Sequence, residues 1–367
     1  MLWLAAAPLL IWVGLLLTPW QPWRCQQQLA SISAEPLSAA IASQITVLIP
    51  ARNEAACIGR TLTALRQQSS HMRVIVVDDQ SQDETAAIAR QHGAEVITGA
   101  PLAPGWTGKL WAMQQGLEKV TSPWLLQLDA DIELASGMIE ALWRQQQQGY
   151  DLVSIMAMLP TVSLWQRWLL PAYVWFFKLI YPFQLVAQSG RVAAAAGGCI
   201  LLRRTLLCAI GGYQSLHDAV IDDCTLAARV KQAGGRCWLG LSHNVISHRD
   251  GSSLSDISHL VTRTAYTQLR HSLLWLLAAS GLMVVAFWAA PLLVLSEQPG
   301  VRAMAVAALM AMVISYQPTL RFYRLSPLWG LMLPFTAALY LGMSWLSAWQ
   351  HWRGGGAHWK GRVYRSH

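Results

Sequence analysis

The fold is indicated by four strand-like runs, which are ITVLIP at 45–50, VIVVDD at 74–79, EVIT at 95–98 and LLQLDAD at 125–131. Helix-like sequence follows the first run to about Gln68 and the second to about His92. Alternation of short apolar strands with helices predicts an α/β fold with a mostly parallel sheet. In such sheets ligands bind beyond the carboxyl ends of the strands, which is where the aspartates of the second and fourth runs fall.

The composition indicates a chain that lies partly in a membrane. Of its 367 residues, 54% are hydrophobic and 13% are charged, whereas soluble domains average about 25% charged residues. Most of the acidic residues fall within 44–250, so this range is predicted to be a domain of soluble type. The net charge of +8 does not indicate a nucleic-acid partner, because no block of lysine and arginine with interleaved aromatic residues is present.

The N-terminal segment is predicted to be a membrane anchor. Residues 2–18 are apolar and uncharged, which predicts a transmembrane anchor over 1–22. A cleavable signal peptide is the alternative, but the run lacks a basic start and a small-residue cleavage site. Arg24 follows the anchor, and the positive-inside rule then predicts that the next domain lies in the cytosol.

A second membrane region is predicted near the other end of the chain. Three apolar segments, at about 273–295, 301–317 and 328–349, predict a C-terminal transmembrane bundle over 272–350. Three crossings would place the basic tail, 351–367, outside the cell, against the positive-inside rule. The middle segment is about 17 residues long, which is marginal for a span, so we expect that it does not cross.

The apolar segment 164–187 has a different character from these spans. It contains Pro171 and Pro182 and also carries Arg167 and Lys178. Prolines interrupt helices, and the two cations are unfavourable inside a bilayer. The segment therefore predicts a pair of helices that lie in the membrane interface.

Asp129 and Asp131 are the strongest individual indication of a binding site. They follow a predicted strand with one residue between them, so a turn after the strand lets both carboxylates reach one hard cation. Magnesium or manganese is commonly held by one or two carboxylates together with substrate phosphates. The alternative is that Asp131 caps the element that follows it.

Further charged residues fall at the ends of the predicted elements. Glu54 and Asp79 follow the first and second strands, where they could instead cap a helix or start a turn. Lys109, in GWTGKLW, is placed to meet a diphosphate, although a solvated lysine at a helix start explains it equally well. Asp222 and Asp223 precede a helical pattern, where an ordinary capping pair is the alternative.

In this order the motifs resemble those of the inverting family 2 glycosyltransferases, which have the GT-A fold. The resemblance covers about 44–250 and runs through IPARNE, VVDDQSQDET, GK, LDAD, GGCILLRR, GGY and a DD pair before a helix. It implies that a nucleotide-sugar donor contacts Ala51, Glu54, Asp79, Lys109, Asp129 and Gly198. It also implies that Asp129 and Asp131 bind a divalent metal, Mg or Mn. By the same resemblance Asp223 is the general base and Asp222 is its acidic partner.

Two features depart from the family pattern. The base motif usually reads Glu-Asp, and here it reads Asp222-Asp223, which leaves the role of Asp222 less defined. The Q-x-x-R-W motif of processive polysaccharide synthases is missing, and its nearest counterpart is RTAYTQLRHS at 263–272. The sequence therefore argues against a polymerising enzyme.

The order of domains narrows the resemblance. An anchor, a GT-A domain, an apolar bundle and a WKGRVY tail are similar to the hopene-associated (hopanoid) and carotenoid-type glycosyltransferases of bacteria. This similarity implies a membrane-lipid acceptor and a multi-pass protein of the bacterial inner membrane, in contact with its phospholipids, with a cytosolic catalytic domain. Two alternatives stay open, a polyprenyl-phosphate hexose synthase and a catalytically inactive membrane scaffold. The scaffold is disfavoured because the expected carboxylates are all present.

Overall fold

The computed structural model describes residues 2–32, 37–249, 251–354, 357–359 and 362–364. The chain forms two compact units. The helical unit comprises Met1–Gln26, Thr161–Gln184 and Gly251–Ala357. The sheet unit comprises Gln27–Pro160, Leu185–Asp250 and His358–His367. The predicted tail, 351–367, and Asp250 at the end of the predicted catalytic domain lie partly or wholly outside the described residues.

The strands of the sheet unit form one mixed sheet. They are β1 (Ile45–Ala51), β2 (Arg73–Asp78), β3 (Glu95–Thr98), β4 (Trp124–Leu128), β5 (Ile132–Leu134), β6 (Leu152–Met158), β7 (Cys199–Arg203) and β8 (Cys237–Ser247). Their order in the sheet is β3-β2-β1-β4-β7-β6-β8-β5. The neighbours β1–β2, β2–β3, β1–β4 and β6–β8 are parallel, whereas β7 is antiparallel to β4 and β6. The predicted α/β fold with a mostly parallel sheet is confirmed. A separate two-stranded ribbon pairs β9 (Ala357–Trp359) with β10 (Arg362–Tyr364).

The helices follow in chain order. They are α1 (Leu2–Leu17), α2 (Ala39–Ala42), α3 (Ile58–Gln68), α4 (Thr85–Gln91), α5 (Gly108–Leu117), α6 (Met138–Gln146), α7 (Leu164–Ile180), α8 (Phe183–Val186), α9 (Arg204–Ala209), α10 (Asp222–Gln232), α11 (Leu254–Gln268), α12 (Leu273–Met283), α13 (Ala290–Leu293), α14 (Pro299–Phe322) and α15 (Leu333–Trp352). Short 3-10 helices cover Gly212–Leu216 and Pro327–Met332, and a π-helix covers Val284–Ala289.

The sheet brings the ends of several strands to one edge. Ala51, the last residue of β1, pairs with Asp78, the last residue of β2. Because β7 runs antiparallel to β4, the start of β7 lies beside the end of β4, where Cys199 pairs with Leu128. In the same way β5 begins where β8 ends. Segments that are distant in sequence therefore meet at the edge where ligands are expected.

Helix α5 packs closely on this sheet because of one glycine. A Cβ on Gly116 would lie 2.3 Å from Leu48 Cδ1 and 2.9 Å from Val77 Cγ2, which is closer than side chains pack in protein interiors. The hydrogen side chain lets α5 lie directly over β1 and β2. This contact holds α5, whose first turn carries Lys109, against the sheet.

The helical unit contains long apolar helices. By length and composition, three stretches of the described chain could cross a membrane, namely Leu273–Leu293, Pro299–Phe322 and Pro327–Trp352. The middle stretch is 24 residues long, so the expected length of about 17 residues was too short. Helix α1 has 16 residues and is a shorter apolar helix, so the anchor over 1–22 stays a prediction.

The segment predicted to be an interfacial helix pair forms α7 and α8. Pro171 lies inside α7 and does not interrupt it, contrary to the expectation from the sequence. A capping box between Ser163 and Gln166 starts the helix, and its apolar side, including Leu169 and Trp175, is buried. This burial offsets the single hydrogen bond that Pro171 cannot donate. The break falls instead before Pro182.

Candidate active site

A lysine and two aspartates from separate elements meet at the ligand edge of the sheet. Lys109 Nζ lies 2.7 Å from Asp129 Oδ1 and 3.8 Å from Asp222 Oδ2. It also lies 3.5 Å from the Gly197 carbonyl oxygen. Burial opposes the charge of Lys109, but the two aspartates outweigh it and raise the pKa of the ammonium above its ordinary value. The structure thus brings together the start of α5, the end of β4 and the start of α10.

Asp223 is held by the backbone on both sides of its carboxylate. The Gly197 N–H donates to Oδ2 at 2.8 Å, and the Cys224 N–H donates to Oδ1 at 2.7 Å. Burial, followed by the charge of neighbouring Asp222, raises the pKa of Asp223 to about 6. The two N–H groups and Lys109 oppose this shift, because they favour the charged form. A carboxylate with such a pKa is deprotonated at neutral pH and still basic enough to accept a proton.

Glycine at position 197 allows Asp223 and Lys109 to approach the backbone closely. A Cβ there would lie 3.3 Å from both Asp223 Oδ2 and Lys109 Nζ. The neighbouring Gly198 places its carbonyl oxygen 2.9 Å from the Asp129 backbone nitrogen, which donates to it. A Cβ on Gly198 would approach Ile132 Cδ1 to 3.2 Å. The glycine pair therefore lets a backbone segment lie between α10 and the end of β4.

Asp131 is oriented by the end of β8. Ser247 Oγ donates to Asp131 Oδ2 at 2.8 Å, and the His248 N–H donates to the Asp131 carbonyl oxygen at 2.8 Å. The His248 ring lies between Glu133, 2.6 Å from Nε2, and Arg60, 2.8 Å from Nδ1. Because arginine can only donate, Nδ1 is the acceptor and Nε2 carries the proton toward Glu133.

Sequence reasoning missed Ser247 and His248, and it also missed Gln127. Gln127 is buried on β4, accepts a hydrogen bond from Tyr213 Oη at 3.0 Å and donates to the Gly197 carbonyl oxygen at 3.2 Å. The available signal was the strand CWLGLSHNVIS, whose end would have to meet the DAD stretch. The local sequence does not predict that β8 pairs with β5.

The predicted nucleotide-side residues lie across β1 from this cluster. The Asp79 N–H donates to the Ala51 carbonyl oxygen at 2.8 Å, so the ends of β1 and β2 continue together into their loops. The Glu54 N–H donates to Thr85 Oγ1 at 2.7 Å, and Arg52 Nη1 donates to the Asp79 carbonyl oxygen at 2.5 Å. Asp79 is 1% exposed. Because β1 lies between β2 and β4, Asp79 after β2 is separated by one strand from Asp129 after β4.

The carboxylates at the end of β4 fit a hard divalent cation. Asp129 and Asp131 supply the oxygen ligands that magnesium and manganese prefer, and the side chain of Asp129 is 34% exposed. Within the ranges that the structure describes, no three His, Cys, Asp or Glu side chains group as a metal site. A cation at these two residues would therefore need further oxygens, such as those of a diphosphate.

Part of the chain is similar to known proteins. The description Glycosyl transferase family 2 matches residues 46–211. A 4,4'-diaponeurosporenoate glycosyltransferase from Staphylococcus haemolyticus is 40% identical over 112 residues, which are 29% of this chain and 30% of that protein. A protein of the same name from Staphylococcus aureus strain MRSA252 is 41% identical over 105 residues, 28% of each chain. The chain thus matches less than a third of the length of these relatives.

One solved structure shares the fold over nearly the whole chain. It is a mannosyltransferase from Pyrobaculum calidifontis in complex with GDP-Man and Mn2+, with a TM-score of 0.56 and 17% identity. The match covers 94% of this chain and 95% of that one. The motifs at the sheet edge and the match over 46–211 agree with each other. The sheet unit has the GT-A fold, and over residues 46–211 the chain is similar to the family 2 glycosyltransferases.

Proposed function

We propose that this protein is an inverting glycosyltransferase that moves a sugar from a nucleotide-sugar donor to a hydroxyl group of a membrane lipid. The observation that carries the proposal is the position of Asp223 at the ligand edge of the sheet unit. Its carboxylate accepts the Gly197 N–H at 2.8 Å, and the same glycine carries the carbonyl oxygen that lies 3.5 Å from Lys109 Nζ. Gly197 therefore contacts both the proposed base, Asp223, and the ammonium group of Lys109.

The proposed reaction uses these groups on opposite sides of the sugar. Asp223 takes the proton of the acceptor hydroxyl, whose oxygen forms a bond to the anomeric carbon. The bond from that carbon to the donor phosphate breaks, and the nucleoside diphosphate leaves on the opposite face, so the configuration inverts. Positioned base catalysis of this kind contributes roughly 10²- to 10⁴-fold to the rate. Lys109 holds a positive charge where the diphosphate would lie.

A divalent metal is part of the proposal. Asp129 and Asp131 would hold it, with Ser247 fixing the orientation of Asp131 through its 2.8 Å hydrogen bond. Such a cation, when bound, neutralises charge on the leaving diphosphate. The proposal draws support from the solved mannosyltransferase of the same fold, which contains Mn2+ and GDP-Man. Ala51, Glu54, Asp79 and Gly198 complete the proposed donor site.

A lipid acceptor is supported by the rest of the chain. Three helical stretches of the described residues are long and apolar enough to cross a membrane, whereas a soluble acceptor would need only a tether. The similar staphylococcal proteins are named for glycosylation of 4,4'-diaponeurosporenoate. A hopanoid-related acceptor stays a prediction from domain order. We also propose location in the bacterial inner membrane, with the catalytic domain in the cytosol.

We propose that the segment 164–187 binds the lipid acceptor. Trp165 and Trp168 stack with ring centroids 5.6 Å apart at the start of α7, and Leu164 beside them is 62% exposed. Aromatic rings of this kind favour the headgroup level of a bilayer. Phe176, by contrast, packs on Tyr340 with centroids 5.0 Å apart. Substitution of Phe176 would disturb this packing, so Leu164→Ser with Trp165→Ser is the better test. It should raise the KM for lipid acceptor without changing donor hydrolysis.

Two alternatives remain distinct from this function. Transfer to a polyprenyl phosphate would need no base, because a phosphate acceptor is already ionised at neutral pH. Retention of a partly buried Asp223 with two backbone donors favours a hydroxyl acceptor. An inactive scaffold would bind no donor, and the retained carboxylates favour an enzyme.

The direct test is product analysis with the purified full chain. The protein would be incubated with a panel of nucleotide sugars, Mn2+ and lipids extracted from bacterial membranes, and products would be identified by mass spectrometry. We expect one glycosylated lipid, absent with Asp131→Asn. Sugar on soluble acceptors or in a growing polymer, with no lipid product, would contradict the proposal.

A further inference from the structure

We propose that Lys231 is a positioning residue, which fastens the segment 185–192 to the base helix α10 and so holds Gly197 against Asp223. The inference rests on the proposed function, because it assigns a consequence to the position of Asp223. It concerns only residues of the sheet unit.

Lys231 Nζ is surrounded by backbone carbonyl oxygens of one segment. The nearest belong to Val192, at 2.7 Å, and Gln188, at 2.8 Å. Those of Gly190 and Leu185 follow at 3.4 Å and 3.5 Å. Val192, Gln188 and Gly190 lie outside helices and strands. A single ammonium therefore organises a segment that has no regular hydrogen-bond ladder of its own.

The arrangement depends on the positive charge. An ammonium has three N–H donors, which supply the two short hydrogen bonds and share the third donor between the two longer contacts. Four carbonyl dipoles that point at one place repel each other unless a cation lies between them. Charge-assisted hydrogen bonds are about twice as strong as neutral ones. Removal of the ammonium should therefore let the carbonyls turn away and the segment relax.

The chain from 185 to 197 is attached to α10 at both of its ends. Lys231, in the last turn of α10, holds its beginning. In the first turn, Asp223 accepts the Gly197 N–H at 2.8 Å, and Cys224 Sγ donates to the Ala195 carbonyl oxygen at 3.7 Å. Helix α10 thus supports the chain from 185 to 197 through Asp223, the proposed base, at its first turn and through Lys231 at its last turn.

This attachment has a consequence for the base. The Gly197 N–H stabilises the charged carboxylate of Asp223, so its displacement would make Asp223 easier to protonate. Displacement would also move the base relative to an acceptor hydroxyl. Misplacement of a reacting group by about 1 Å can lower a rate roughly 100-fold.

The test compares Lys231→Met with Lys231→Arg, in the full chain. Hydrogen exchange measured without substrate should become faster in 186–192 for Lys231→Met. Its kcat should fall roughly 10- to 100-fold with donor affinity unchanged, and the acid limb of kcat/KM should move to higher pH. Lys231→Arg, which keeps the charge, should restore protection and part of the rate.

Lys119→Met is the matched control, since Lys119 is an exposed lysine of the same unit, and it should leave all three measurements unchanged. Unchanged exchange, rate and pH profile in Lys231→Met would overturn the inference. So would the same rate loss with an unmoved acid limb and unchanged exchange, because that loss would not pass through the segment or Asp223. If exchange rose in Lys231→Met while the wild-type chain transferred no sugar, the attachment would stand and the proposed function would fall.

Discussion

The ammonium nitrogen of Lys109 lies 2.7 Å from Asp129 Oδ1, so a lysine is paired with the first aspartate of the DAD stretch. Lys109 and a divalent cation therefore compete for the same carboxylate. A diphosphate would relieve this competition, because its negative charges can accept the lysine while the cation takes Asp129. We infer that cation and donor bind together, with Lys109 moving between carboxylate and phosphate.

Lys109→Met should have opposite effects on the affinities for Mn2+ and for the nucleotide-sugar donor. Without the ammonium, Asp129 is no longer neutralised, so we expect Mn2+ alone to bind about tenfold more tightly, since loss of a close charge pair changes such free energies by about 1 kcal/mol or more. Nucleotide-sugar affinity should fall at the same time. Calorimetric titration with Mn2+ alone and then with donor measures both. Weaker or equal Mn2+ binding would exclude the competition, and Lys119→Met serves as the control.

Asp223→Asn tests the base. An amide cannot accept the proton of the acceptor hydroxyl, so turnover should fall at least about 100-fold, while donor affinity stays nearly unchanged. Steady-state rates and donor binding by calorimetry give the two values. Asp222→Asn is the comparison on the same turn of α10. A large loss in Asp222→Asn with none in Asp223→Asn would show that the other carboxylate is the base.

The pH dependence of kcat/KM follows from the same residue. Burial and Asp222 raise the pKa of Asp223 to about 6, and the reaction needs the deprotonated form. We expect kcat/KM to be nearly independent of pH above about 7 and to fall about tenfold per pH unit well below 6. Asp222 and Lys109 are the charged groups that act on Asp223, so Asp222→Asn should move the acid limb to lower pH. An acid limb near the ordinary aspartate pKa would contradict this assignment.

Ser247→Ala tests the support of Asp131. The Ser247 hydroxyl donates to Asp131 Oδ2 at 2.8 Å, and loss of an outer partner of a metal ligand typically weakens binding roughly 10- to 100-fold. The Mn2+ concentration for half-maximal donor binding should rise accordingly, with little change in donor binding at saturating Mn2+. Ser242→Ala, on the same strand but bonded to Met138 Sδ, should change neither. An equal Mn2+ requirement in Ser247→Ala and wild type would remove this role.

The strand and helix order of 45–131 could be predicted from the sequence because each element carries a local signal. In β1 all seven residues are buried, which produces an uninterrupted apolar run. Strand β5 has three residues and gives no such run. The contact of Gln127 with Gly197 joins residues 70 positions apart through the antiparallel β7, and no local pattern states which strands pair.

The apolar helices illustrate a second limit of prediction from the sequence. Pro318 directly follows the predicted apolar segment 301–317, and proline usually marks the end of a helix. In the structure α14 continues through Pro318 to Phe322, with Thr319 and Leu320 buried. Packing within the helical unit offsets the hydrogen bond that Pro318 lacks. Helix length was therefore underestimated where tertiary contacts override a local stop signal.

The central claim is direct displacement with Asp223 as the base, and the anomeric configuration of the product tests it most directly. Purified wild-type protein with Mn2+ and its preferred nucleotide sugar should be allowed to glycosylate extracted membrane lipid, and the anomeric proton of the product examined by NMR spectroscopy. The mechanism predicts a single anomer, opposite in configuration to the donor, and no such product from Asp223→Asn. A product that retains the configuration of the donor would contradict the account.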